Sequence, residues 1–176
     1  MLREGIWALA TVLAAIAGWI DWRYRRIPNW LTVPGLLIGI AANSMARGWP
    51  GAKDSLLGAG LGLALLLPFV LIRALGAGDW KLAGAMGAFV GPGYLITVLL
   101  AAVLIAGVMG LVLIIWKKRV KQTLRNLARI LAAFLSLRLP GPDLTLDNPE
   151  SLKVPFGVAF ALAAILFNMR QMWGAF

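Results

Sequence analysis

The sequence predicts an all-α fold: a polytopic membrane bundle of six transmembrane helices, with a cytoplasmic amphipathic helix attached. Three observations predict it. Of 176 residues, 61 % are hydrophobic and 14 % are charged, a balance that suits a bilayer and not an ordinary soluble domain. The apolar residues gather into runs too long and too closely spaced for one soluble core. The basic residues behind the net charge of +10 fall between those runs, where they set topology. A soluble protein of this charge would point to nucleic acid; here no nucleic-acid partner is expected.

There is no cysteine and no histidine. Disulfides, thiolate catalysis, Ser-His-Asp triads, HExxH chemistry and histidine metal clusters are therefore excluded. Chemistry must rest on Asp, Glu, Lys, Arg, Ser, Tyr or backbone. No metal, nucleotide or redox cofactor is implied.

The first run, 5–20, follows Arg3 but ends in Asp21 and a basic cluster, not in a small-residue cleavage site. It reads as a retained span rather than a signal peptide. Arg23, Arg25 and Arg26 mark the cytoplasmic side. Pro28 restricts Ile27 to an extended shape, so the first helix has ended there. Asn29 or Thr32 could cap the next helix. The second run, 31–46, carries Gly35 and Gly39 one turn apart, a spacing that lets helices approach closely. A less basic turn with Gly48, Pro50 and Gly51 suits the opposite side. The third run, 55–72, begins with Gly58, Gly60 and Gly62 and contains Pro68, which frees a carbonyl near its cytoplasmic end.

Arg73 and Lys81 bracket the turn that holds Asp79 and return the chain to the arginine-rich side. The next run, 82–90, is short. As a helix, residues 80–93 cover about 21 Å, against a hydrocarbon core of about 30 Å. If it did not cross, the basic stretch 117–138 would land outside, so a short, buried, glycine-rich span is expected. Gly91-Pro92-Gly93 makes the outer turn, and 94–116 is a full span. In 117–138, Val120, Leu124, Leu127, Leu131 and Phe134 recur at helical intervals, while Lys118, Lys121, Arg125 and Arg129 take another face. That pattern fits a helix on an anionic membrane surface, and a dock for a partner or substrate is the alternative. A polar linker, 139–150, holds Asp143, Asp147 and Glu150. The last run, 154–169, opens on Lys153-Val154-Pro155-Phe156-Gly157. The result is one membrane-embedded domain over 1–176, with both termini outside.

Two acids stand out because each lies beside a span, where a carboxylate is costly and usually functional. Asp21 ends the first run, and Asp79 sits in Gly76-Ala77-Gly78-Asp79-Trp80-Lys81. Under the six-span topology they reach the same membrane edge. Two carboxylates in a poorly hydrated site tend to share one proton, a state suited to hydrolysing an unactivated amide through a water. Other readings stand beside it. Asp79 could be an N-cap for the helix that follows. Asp21 could pair with Arg25 one turn away. Either could bind a proton or ion in a small transporter.

The context of the two acids resembles the type IV prepilin peptidase family, the GxGD membrane aspartic proteases, and most of all its short peptidase-only branch serving Tad/Flp-type pili. Three places carry the resemblance: Asp21 followed by Arg25-Arg26-Ile27-Pro28-Asn29; the G-x-G-D-x-K motif at Gly76, Gly78, Asp79 and Lys81; and Pro155-Phe156-Gly157 at the last span. It runs in order along nearly the whole chain. Trp80 is bulkier than the family's usual aliphatic residue, Ala163 replaces a frequent glycine, and the stretch before the last span is long. The resemblance implies that Asp21 and Asp79 are the catalytic pair, with Gly76, Gly78, Lys81, Pro28, Asn29, Pro155 and Gly157 in support. It implies a prokaryotic inner-membrane enzyme with its active site on the cytoplasmic side. Its partners would be a prepilin-like precursor with a basic leader, cut after a glycine, together with membrane lipids and pilus assembly machinery. Larger relatives carry an N-terminal methyltransferase portion with a cysteine-rich loop, so a second activity is not expected here. A non-enzymatic assembly protein is the remaining alternative.

Overall fold

The structure, a computed structural model, describes residues 2–136 and 153–173. The expected polar linker with Asp143, Asp147 and Glu150, and the end of the basic segment at Arg138, lie outside the described residues. Five α-helices and no strand occur among the described residues: α1 (Leu2–Tyr24), α2 (Asn29–Leu71), α3 (Ala77–Trp116), α4 (Val120–Leu135) and α5 (Phe156–Trp173). By length and composition, α1, α2 and α3 can cross a membrane, and α5 holds a shorter apolar stretch.

The long helices α2 and α3 each fold back on themselves. A straight helix would put Gly39 and Ser55 about 24 Å apart, yet Ser55 Oγ lies 3.5 Å from the Gly39 carbonyl oxygen. The reversal is at Gly48, with φ 62° and ψ −144°, a conformation that glycine alone adopts without strain. The turn is tighter than the expected loop, because only Gly48 leaves helical geometry. In α3 the break is Gly91, at φ 76° and ψ 172°. A Cβ on Gly62 would lie 2.6 Å from the Ala83 carbonyl oxygen and 3.1 Å from Leu95 Cδ2. Ala83 and Leu95 therefore flank one point, whereas a straight helix would part them by about 18 Å.

The two reversals are closed by a buried polar knot. Pro92 has no N–H to give the carbonyl four residues before it, so the Ala88 oxygen loses its helical donor. Ser55 Oγ donates to it at 2.7 Å, and Asn43 Nδ2 at 3.0 Å. The Gly91 break likewise frees the Phe89 oxygen, which accepts from Asn43 Nδ2 at 3.0 Å. The Asn43 side-chain oxygen accepts from Arg47, which also pairs with Asp54 at 2.8 Å. Asn43→Ala should therefore destabilise the protein by about 1–3 kcal/mol through the stranded carbonyls, read as a lower thermal midpoint in detergent. An unchanged midpoint would show that the knot contributes nothing.

Glycines set how closely the limbs approach. A Cβ on Gly58 would fall on the Gly87 carbonyl oxygen, and one on Gly87 would fall on that of Gly58. Residues Leu82 through Gly91 are all buried, as expected for the short run. The helix α5 runs antiparallel to α1. Gly157 meets Asp21, Ala161 faces Gly18, and Asn168 Nδ2 donates to Thr11 Oγ1 at 3.0 Å. Beyond them Trp7, Tyr94 and Phe167 form an aromatic cluster with centroids 5.1 to 5.6 Å apart.

These reversals give the bundle two rims. One carries the end of α1, both ends of the α2–α3 connection, the end of α3 and the start of α5. The other carries the Gly48 and Gly91 breaks. On the first rim three helix ends are closed by a cation in the left-handed region: Arg25 (φ 54°), Arg73 (φ 57°) and Lys118 (φ 55°). Glycine is the usual residue there, but a cation complements the negative end of a helix.

Candidate active site

Asp21 sits in the last turn of α1 and is 6 % exposed. Asp79 sits in the first turn of α3, whose N-cap is Gly76. It is thus inside the helix and is not its N-cap. The turn before it is shaped by contact: a Cβ on Gly78 would lie 2.9 Å from the Ile27 carbonyl oxygen and 3.0 Å from Ile27 Cβ. The loop after α1 and the start of α3 are thereby pressed together. Asp21 and Asp79 line one cavity of about 420 Å³, with Pro28, Asn29, Gly76, Gly78 and Lys81 also on its wall. The two carboxylates are near enough to act on each other's charge.

Each acid is held differently. The Gly157 N–H, in the free first turn of α5, donates to Asp21 Oδ2 at 2.9 Å. Pro155 opens that turn, and its carbonyl accepts from Val158 and Ala159. The Gly76 N–H donates to the Asp79 carboxylate. Asp79 Oδ1 is buried and has no hydrogen-bond partner among the described residues. A buried carboxylate oxygen without a partner is uncommon, and here it belongs to a residue on a cavity wall.

The expected supporting residues therefore converge: seven site residues line the cavity, and Pro155 and Gly157 pack behind Asp21. The expected caps are a correction. Pro28, not Asn29 or Thr32, is the N-cap of α2, and no side chain caps it. Asn29 Oδ1 instead accepts from Lys81 Nζ at 2.9 Å, tying the α2 start to the GxGD turn. Thr32 is buried with its hydroxyl unpartnered among the described residues.

Two residues beyond the expected set organise the site. Ile27, 7 % exposed, touches Gly78 through its backbone, and its Cδ1 lies 3.0 Å from a Cβ placed on Gly157. Its signals in the sequence are its place before Pro28 and within the Arg25-Arg26-Ile27-Pro28-Asn29 stretch. Arg25 does not simply pair with Asp21: its Nη1 donates to the Lys153 carbonyl at 2.8 Å. It so fastens the end of α1 to the segment leading into α5. No local pattern announces a bond across that distance in sequence.

Chemically, two facing carboxylates can move a proton to and from a bound group, or hold a proton or ion. A second cavity, of about 490 Å³, opens on the opposite rim beside Trp7, Asn43, Arg47, Asp54 and Tyr94. Its one acid, Asp54, is already paired with Arg47, so it offers no comparable pair.

The sequence profile of the type IV leader peptidase family matches residues 8–111, which include both acids and the GxGD turn. The chain belongs to the type IV leader peptidase family. It is 32 % identical over 126 residues to a prepilin leader peptidase/N-methyltransferase of Xanthomonas campestris pv. campestris, covering 68 % of this chain and 43 % of that protein. It is 27 % identical over 206 residues to one from Myxococcus xanthus, covering 94 % of this chain and 61 % of that protein. The chain thus spans roughly half the length of these relatives. No solved structure matches it.

In this leader peptidase family member Trp80, between Asp79 and Lys81, has a fixed place. The Trp80 indole N–H donates to the Leu63 carbonyl at 2.7 Å, in the second limb of α2. The proline–aromatic–glycine motif likewise has a physical content. A Cβ on Gly157 would lie 2.9 Å from Asp21 Cβ and 3.0 Å from its Oδ2. Gly157→Ala should push Asp21 out of place while changing the fold little. Any activity resting on Asp21 should fall by on the order of 10²-fold, the scale of a small misplacement in an active site. Wild-type rates in a folded Gly157→Ala protein would separate the motif from Asp21.

Proposed function

We propose that this protein is a membrane aspartic endopeptidase that removes the basic leader from prepilin-like precursors after a glycine. The observation that carries the reading is the meeting of Asp21 and Asp79 in one cavity, from helices far apart in the chain. The ionised acid takes a proton from a water as its oxygen attacks the amide carbon. The protonated acid gives its proton to the carbonyl oxygen. As the tetrahedral centre collapses and the C–N bond breaks, the first acid gives its proton to the leaving amine, and the second acid takes back the proton of the carbonyl oxygen as the C=O bond re-forms, which restores one ionised and one protonated acid.

The same reading sets the membrane. With α2 and α3 each folded in two, four limbs join α1 and α5 as six crossings. Fully straight, the 43 residues of α2 and the 40 of α3 would reach about twice the thickness of a bilayer core. The cavity rim carries Arg23, Arg25, Arg26, Arg73, Lys117, Lys118 and Arg119, so it faces the cytoplasm of a prokaryotic inner membrane and both termini lie outside. Trp19, Trp22, Tyr24 and Trp30 are exposed around Asp21, and form an aromatic belt at headgroup level. A substrate helix enters laterally, unwinds at its glycine, and offers the freed backbone to the acids.

Proteoliposomes holding the wild type and a membrane-inserted tagged precursor test this against transport. The precursor should shorten, and a trapped proton-sensitive dye should report no flux that depends on Asp21 or Asp79. Flux that depends on the acids, with an intact precursor, would establish a transporter instead.

A further inference from the structure

The helix α4 has no task in the chemistry above. It begins four residues past Trp116, the end of α3. The turn between them is fixed by Lys118 in the left-handed region, and the Arg119 N–H donates back to the Ile114 carbonyl at 3.0 Å. This is a helix stop that redirects the chain sharply. Because α3 doubles back at Gly91, the stop lies on the rim that holds Asp21 and Asp79.

Along α4, Leu124, Leu127, Leu131 and Leu135 form one row and are 60 to 80 % exposed. Lys121, Gln122, Arg125 and Arg129 take the other side. From Lys117 to Ser136 there are six cations and no acid. The helix packs lightly against α3, and nothing among the described residues covers its leucines. At its root Trp116 is 79 % exposed, and Lys117 Nζ stands 5.9 Å from the centroid of its ring.

We propose that α4 lies in the headgroup plane of the bilayer on the side of the carboxylate cavity and binds anionic phospholipid, its leucines among the upper acyl chains and its cations on the phosphates. The choice of lipid over a protein partner follows from where the helix is rooted. It leaves a strongly apolar helix at an aromatic–cationic boundary, so the bilayer is the apolar phase its leucine row meets first. A face of cations without acids complements a surface of phosphates. The proposal does not depend on the peptidase reading and stands or falls separately.

Because the chain has no cysteine, Leu127→Cys and Gln122→Cys each give a unique thiol for a nitroxide label. The purified full chain is placed in nanodiscs of phosphatidylcholine, with or without phosphatidylglycerol. Collisions with dissolved oxygen are compared with collisions with a neutral nickel chelate. At position 127, discs with phosphatidylglycerol should favour oxygen several-fold over the chelate; position 122 should favour the chelate. Removing phosphatidylglycerol, or adding K121Q, R125Q and R129Q together, should shift position 127 toward water. Chelate access at 127 in phosphatidylglycerol discs would overturn the proposal. So would equal burial in both lipids and in the neutralised variant, since charge would then play no part. Burial that appears only on adding a precursor or other protein would also overturn it, in favour of a protein dock.

Discussion

Asp79→Asn, and separately Asp21→Asn, will leave a folded, membrane-integrated protein that no longer shortens a leader-bearing precursor. The substitution preserves shape. At position 21 the amide oxygen can still accept the Gly157 N–H, which now meets Asp21 Oδ2 at 2.9 Å, so the packing of α5 on α1 should survive. What is lost is a group able to take up and release a proton at the cavity wall. General acid–base catalysis of this kind contributes about 10²–10⁴-fold, and each single variant should lose at least that much in initial rate. The double variant should be little worse than either single one, because the two acids act as one unit. Size-exclusion profiles and circular dichroism check the fold, and precursor band shifts check the rate. Near-wild-type cleavage by either purified variant would remove that acid from the chemistry.

Gly87→Ala and Gly58→Ala will be the most damaging small changes to the bundle. In each case the added Cβ falls on a carbonyl oxygen of the facing limb. Backbone cannot rotate aside as a side chain can, so the limbs must part. That would loosen the packing that buries Leu82 through Gly91 and carries Asp79 at its start. Overpacking of a tight core costs about 1–3 kcal/mol and occasionally more, and these sites belong at the upper end. Gly60→Ala is the internal control: its Cβ meets nothing within 4 Å, and alanine is favoured over glycine in a helix by about 1 kcal/mol. Thermal midpoints in detergent should fall for the first two and hold or rise for the third. Equal behaviour of all three would mean that the limbs are not packed as closely as described.

Much of this was readable from the residues. The convergence of Asp21 and Asp79 in one cavity was expected from hydropathy and charge, which set two apolar runs between them and a basic cluster beside each. Gly48 and Gly91 were readable as turns, though not as single-residue reversals inside otherwise helical chain. Burial of the short run was expected from the placement of the basic clusters around it, and its glycines fit that crowding. The link from Gly157 to Asp21 was not derivable from spacing, although a proline at the start of the last run followed by a glycine open to close contact marked that turn. The knot of Asn43 and Ser55 has a physical trace in the sequence. Pro92 strands the Ala88 carbonyl, and a stranded carbonyl within an apolar run calls for a polar side chain at the same depth. Asn29 does not cap α2 because a tertiary partner competes with the local one: its side-chain oxygen serves Lys81 instead.

The most direct measurement is the intact mass of both products after purified wild type, or Asp79→Asn, is incubated with a tagged precursor bearing a basic leader, a glycine and an apolar helix. Wild type should give two fragments whose masses sum to the precursor plus one water, with the leader ending in that glycine. The variant should return the precursor whole. An uncut precursor with folded wild type, or the same two fragments from the variant, would contradict proteolysis by the Asp21–Asp79 pair.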